Sequence, residues 1–150
     1  MKNFPWLKKY PSSVSTEINP DQYSSVIDFL EECFKKYSTL PAFVCMGKEY
    51  SYAEMDELSK NFAAYLQGIG LKKGDRIAIM MPNVLQYPIA LFGAIRAGLV
   101  IVNTNPLYTV REMKHQFKDS GADAIVILSN FAANLEKALP QTGIKHIVVT

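Results

Sequence analysis

The chain reads as an α/β protein: a mostly parallel, doubly wound sheet with helices on both faces, preceded by a short N-terminal arm and a hairpin. Three observations predict this. Segments with apolar residues at helical spacing alternate with short, mostly apolar runs. Those runs (76–81, 99–102, 122–128 and 145–149) lack the alternation of a half-solvated strand, as parallel strands covered on both faces do. The helical segments between them are long enough to carry right-handed crossovers, which lay successive strands parallel in one sheet.

Residues 1–22 are rich in proline, serine and polar residues and are expected to form an arm without regular structure, with the α/β unit over residues 23–150. Phe4, Trp6 and the neighbouring lysines suit a membrane surface, but the simpler expectation is that the aromatics pack onto the domain. The N-terminus lacks the apolar core of a secretion signal, and no stretch approaches the ~18 apolar residues of a membrane span.

The elements follow in order. Val26, Ile27, Leu30, Cys33, Phe34 and Tyr37 recur at helical spacing, with Asp21 or Ser24 as the cap. Pro41–Tyr50 predicts a hairpin turning at Gly47. Ser51 and Glu54 form a capping box, opening a helix whose inward face is Met55, Leu58, Phe62, Tyr65, Leu66 and Ile69 and which stops at Gly70. After the first buried strand, Pro82–Asn83 leads into a helix reaching about Ala97. Asn83 is a candidate cap, and the helix proper either starts near Pro88 or kinks there. A second buried strand, Leu99–Val102, leads to the polar loop Asn103–Tyr108. Thr109 and Glu112 form another capping box, on a helix with Val110, Met113 and Phe117 inward and Gly121 at its end. A third strand, Ala122–Leu128, precedes Ser129–Asn130, read as the cap of a short helix over 131–138. The last strand is Lys145–Val149. It runs up to Thr150 with no closing helix, which is expected of a fragment.

Composition narrows the function classes. The 150 residues match the commonest size of one domain, and 49% hydrophobic with 20% charged residues builds a core without staples. Sixteen basic against 14 acidic side chains give a net charge of +2, too balanced to suggest nucleic acid as a partner. Cys33 and Cys45 each sit in an apolar run, away from any metal-ligand spacing, and are read as reduced core thiols of a cytoplasmic protein. His115 and His146 have no ligand partner at suitable spacing, so no metal site is expected.

Ligands of doubly wound sheets sit beyond the carboxyl ends of the strands. Three loops qualify: Pro82–Asn83, Asn103–Tyr108 and Ser129–Asn130. Capping accounts for Asn83 and Asn130 better than ligand contact does. The 103–108 loop exceeds what a turn requires, so Asn103, Thr104, Asn105 and Tyr108 are the ligand-loop candidates, with the structural and functional readings evenly balanced. The glycine run Gly68, Gly70, Gly74 imitates a dinucleotide fingerprint but leaves a helix and enters a strand, the wrong polarity for gripping pyrophosphate. Glu31–Glu32 and Asp56–Glu57 lie on polar helix faces and are read as solvated charge rather than acid–base pairs. No catalytic residue is identified.

Several stretches resemble known enzymes. Pro41–Phe43 with Tyr50–Met55 is similar to the first conserved block of adenylate-forming enzymes. Gly74–Asn83 resembles their next segment, and Ala90–Gly98 with Val102–Tyr108 the one after. Tyr10–Pro11, Glu17–Asp21 and Ser129–Phe131 resemble the opening of bacterial long-chain fatty-acid–CoA ligases. The resemblance covers the whole chain and implies the N-terminal subdomain of the adenylate-forming (AMP-binding) fold. It implies a parent enzyme that uses ATP, Mg2+ and coenzyme A to convert a long-chain fatty acid to an acyl-adenylate and then a thioester. It also leaves room for a homodimer and for a cytoplasmic protein with peripheral contact to the inner membrane. The family's Ser/Thr/Gly-rich phosphate loop, its ATP-binding aspartate and arginine, and its C-terminal lysine have no counterpart in these residues. The fragment is therefore expected to bind no cofactor and to be inactive alone. The alternative is a free-standing nucleotide- or partner-binding module using the 103–108 loop. An oxidoreductase domain is the least favoured reading, because its fingerprint is misplaced.

Overall fold

The computed structural model describes residues 4–150. A 3-10 helix over Pro5–Lys9 is followed by α1 (Val26–Lys36), β1 (Pro41–Cys45), β2 (Lys48–Ser51), α2 (Tyr52–Gly68), β3 (Arg76–Met80), α3 (Gln86–Arg96), β4 (Val100–Asn103), α4 (Val110–Ser120), β5 (Ala124–Ile127), α5 (Ala132–Ala138) and β6 (His146–Val149). Short 3-10 turns over Ser129–Phe131 and Leu139–Gln141 flank α5.

The main sheet has strand order β4-β3-β5-β6, and every pair in it is parallel. Alternate residues of the two central strands feed two cores. Ile77 and Ile79 of β3 and Ala124 and Val126 of β5 face α2 and α3. Ala78 and Met80, with Ile125 and Ile127, face α4 and α5. The connectivity dictates this division. The chain leaves β3 toward β4 in one direction, then returns past β3 to β5 and on to β6 in the other. Right-handed crossovers taken in opposite directions place their helices on opposite faces. The doubly wound α/β expectation is met.

Both predicted capping boxes form. The Ser51 hydroxyl accepts from the Glu54 N–H at 3.2 Å while Glu54 accepts from the Ser51 N–H at 2.8 Å, and Thr109 and Glu112 repeat the arrangement at 3.4 and 2.8 Å. The helix α2 ends in a Schellman motif, with the Leu71 N–H donating to Leu66 O and the Gly70 N–H to Gln67 O. The β1–β2 hairpin turns at Met46–Gly47, both at positive φ (51° and 78°), as a two-residue turn matching strand twist demands.

Elsewhere the structure corrects the reading. The arm contains the 3-10 helix, opened by Pro5 at its first position, and its aromatics stack on each other rather than entering the core. The cap of α1 is Ser25, whose hydroxyl accepts from the Asp28 N–H, not Asp21 or Ser24. In α2 the buried side chains are Met55, Ser59, Ala63 and Leu66, and Tyr65 stays 49% exposed. Small residues face inward because α3 lies close: a Cβ built on Gly93 would stand 2.7 Å from Phe62 Cδ1 and 3.1 Å from Ser59 O.

Asn83 is not the cap of α3, which begins at Gln86 without a side-chain cap. Pro88 is its third residue, so the helix starts near the proline, where the missing N–H costs nothing because first-turn N–H groups have no intrahelical partner to lose. Ser129 and Asn130 lie in a 3-10 turn and do not cap α5, whose N-cap is Phe131. The strand after Gly98 is an edge strand with Val100 half exposed, not a doubly covered one. Cys33 and Cys45 are free thiols of intermediate exposure rather than core residues.

The acidic helix faces also differ from expectation. Arg96, at the end of α3, has a side chain only 8% exposed. Its guanidinium donates to Asp56 at 2.6 Å, to Glu31 at 2.9 Å and to the Ser59 hydroxyl at 3.1 Å, and lies over the Phe34 ring. Asp56 and Glu31 are therefore anchors joining α1 and α2 to α3, not merely solvated charge.

Candidate functional site

A parallel sheet delivers all its strand exits to one edge. Beyond β3 lie Met81–Asn83, beyond β4 the 104–109 loop, and beyond β5 Leu128–Asn130. The chain departs from β3 and β5 in opposite directions, so the crevice between their carboxyl ends is the topological switch point.

The predicted loop residues have definite places. The Asn103 side-chain oxygen accepts from the Tyr87 hydroxyl at 2.8 Å, and its backbone carbonyl accepts from the Gln116 amide at 3.1 Å. Thr104 is 5% exposed, its N–H donating to Ile79 O and its hydroxyl to Val102 O. The Asn105 side chain is exposed and accepts from the Leu107 N–H at 3.0 Å, while the Tyr108 N–H donates to Asn105 O. Tyr108 packs partly against the core on the α4 side. The structure brings all four together in one loop, held from α3 by Tyr87 and from α4 by Gln116. Glu112 closes the loop. Its carboxylate accepts the Thr109 hydroxyl and N–H, which hold it below the usual glutamate range. So stabilised, it is a poor general base.

Sequence reasoning missed a second arrangement at this edge. The β1–β2 hairpin reaches over the β3 exit and encloses an apolar cleft of about 340 Å³, lined by Phe43, Val44 and Cys45 from the hairpin and Val84, Pro88 and Phe92 from the other side. The Cys45 thiol faces the Asn83 carbonyl at 3.6 Å. A neighbouring cleft of about 310 Å³ shares Cys45, Val84 and Leu85, adds Gln86 and Leu128 from the exits of β3 and β5, and has Lys48 and Tyr50 on its rim. The Lys48 ammonium sits 5.2 Å from the Tyr50 ring centre. The only sequence signal for this cleft was the apolar run 41–46, which reads equally as a hairpin packed on the core.

Chemically, this edge offers amides, hydroxyls, one ammonium and apolar walls. Among the described residues no group of three or more His, Cys, Asp or Glu side chains converges as a metal site.

Comparison with known proteins places this geometry. Residues 30–150 match the model of the AMP-binding enzyme family. The chain is 57% identical over 146 residues to a long-chain-fatty-acid–CoA ligase of Escherichia coli O6:H1, covering 97% of this chain and 26% of that protein. It is 31% identical to the Bacillus subtilis enzyme of the same name, again over 26% of its length. The chain thus spans about a quarter of these relatives. Among solved structures, a long-chain-fatty-acid–CoA ligase from Archaeoglobus fulgidus superposes with a TM-score of 0.78 over 84% of this chain and 27% of that one, at 24% identity. That likeness confirms the fold.

Proposed function

This chain belongs to the AMP-binding enzyme family, and from that premise we propose that it is the N-terminal scaffold of a long-chain fatty-acid–CoA ligase. The single observation that carries the reading is the 57% identity spread over 97% of the chain. The parent reaction joins a long-chain fatty acid to ATP, forming an acyl-adenylate with release of pyrophosphate, and coenzyme A then displaces AMP to give the thioester. We place the parent in the cytoplasm as a homodimer in peripheral contact with the inner membrane.

The residues present perform supporting chemistry. The 103–108 loop presents Asn105 and the Asn103 edge toward ligand, braced by Tyr87 and Gln116. Arg96 fixes α3, whose first turn walls both clefts. Magnesium, held in such sites by one or two carboxylates together with substrate phosphates, belongs in this reading to the phosphate-gripping part of the parent. This piece alone forms no adenylate.

The test is thioester formation by the full-length protein that contains this chain, supplied with ATP, magnesium, coenzyme A and palmitate. Palmitoyl-CoA is the expected product. Absence of acyl-CoA with any long-chain acid overturns the reading. In that protein, Asn105→Ala should raise KM for ATP or fatty acid severalfold, while an unchanged KM and kcat would leave the loop with a purely structural role.

A further inference from the structure

We propose that the segment Phe4–Tyr10 is a docking element for an anionic lipid surface. The proposal deepens the peripheral-contact reading by naming the element and the lipid charge. Four observations converge. Phe4 and Trp6 stack on each other, ring centres 4.6 Å apart, yet remain 39% and 55% exposed, so the pair presents its outer faces to solvent. Tyr10 adds a third ring, 46% exposed. Lys8 and Lys9 follow Trp6 within one 3-10 helix and take no part in the ion pairs among the described residues. Residues 1–16 contain Lys2, Lys8 and Lys9 and no Asp or Glu, the first acid being Glu17.

These are the two signals that a reversible membrane contact requires. Amphipathic Trp and Tyr rings settle at the headgroup level, where the ring is desolvated and its polar tip stays wet. Lysines beside them gain roughly fivefold in affinity each near an anionic surface, through attraction that salt screens. Neither signal suffices alone, and a five-residue helix is far too short to insert across the bilayer. A partner protein would bury the same rings, but the unbroken positive charge favours a surface of uniform negative charge.

Trp6 is the only tryptophan of these 150 residues, so the fluorescence of the 150-residue chain reports this segment alone. Phosphatidylglycerol vesicles should shift its emission to the blue and shield it from iodide, whereas phosphatidylcholine vesicles should do neither. The double variant Lys8→Glu with Lys9→Glu should weaken phosphatidylglycerol binding by more than tenfold, as should 0.5 M salt. Vesicle co-sedimentation with unmoved Trp6 emission refutes the segment while leaving peripheral contact standing. No co-sedimentation at all refutes both. Equal binding to the two lipids, or a blue shift that grows with protein concentration in the absence of vesicles, also overturns the proposal. No arm contains ATP or fatty acid, so none bears on the ligase reading.

Discussion

The Arg96 guanidinium meets the Asp56 carboxylate at 2.6 Å, and through that contact the last turn of α3 is tied to the first turns of α2. The two partners are not equivalent. Arg96 is almost fully enclosed, whereas Asp56 is 28% exposed and holds a second cation, Lys60, also at 2.6 Å. Removing Asp56 leaves a buried guanidinium with the Ser59 hydroxyl, the Phe34 ring and, as its one remaining carboxylate among the described residues, the exposed Glu31. Removing Arg96 leaves a carboxylate that still has Lys60 and water. Asp56→Ala should therefore lower unfolding stability by about 3 kcal/mol, and Arg96→Met by only about 1 kcal/mol. Urea unfolding checks the order, and a larger loss for Arg96→Met would contradict it.

Gly93 is required where α3 crosses α2. An added Cβ would meet Ser59 O, a backbone atom that cannot swing aside, at 3.1 Å. Gly93→Ala should cost roughly 1–3 kcal/mol by forcing the helices apart. Gly68, the last residue of α2, has open space where a Cβ would go, so Gly68→Ala should be neutral or gain about 0.5 kcal/mol. Thermal melts of the two variants should fall on opposite sides of the parent, or Gly68→Ala level with it. Equal destabilisation would refute this packing.

Glu54 and Glu112 share an acid sensitivity. Hydrogen bonds from Ser51, backbone first, hold the Glu54 carboxyl below the usual range, and the Thr109 hydroxyl and N–H do the same for Glu112. A carboxyl lowered in the folded state contributes stability that is complete above its unfolded value, 4.5, and is lost as pH falls through the lower folded value. The double variant Glu54→Gln with Glu112→Gln should thus be less stable than the parent at pH 7, with the gap closing below about pH 4. A gap of constant size from pH 7 to pH 3 would contradict the capping role.

Local chemistry was the legible part of this sequence. Both capping boxes, the stop at Gly70 and the turn at Gly47 are set by residues within a few positions of one another, and each formed as read. What needed distant partners was not legible. Periodicity alone turns Tyr65 inward, but Gly93, 28 positions on, draws α3 onto the Ser59 and Ala63 side of α2 instead. Glu31 and Asp56 looked solvated because Arg96 lies 65 and 40 positions away. Asn83 and Asn130 are good capping types that the chain did not use, since turns at 82–85 and 129–131 intervene before α3 and α5 begin. The polar excess of residues 103–108 marks them as a loop at the carboxyl edge of the sheet, where the structure has them. The cleft under the hairpin was not legible, because burial against a neighbour and an open apolar wall leave the same pattern in sequence.

The central claim is that these residues form scaffold while the groups that grip triphosphate lie elsewhere in the parent. Fatty-acid-dependent ATP–pyrophosphate exchange by the purified 150-residue chain tests it most directly. The account predicts no exchange above background at millimolar ATP, magnesium and saturating palmitate. Exchange that requires palmitate and survives repurification would contradict it.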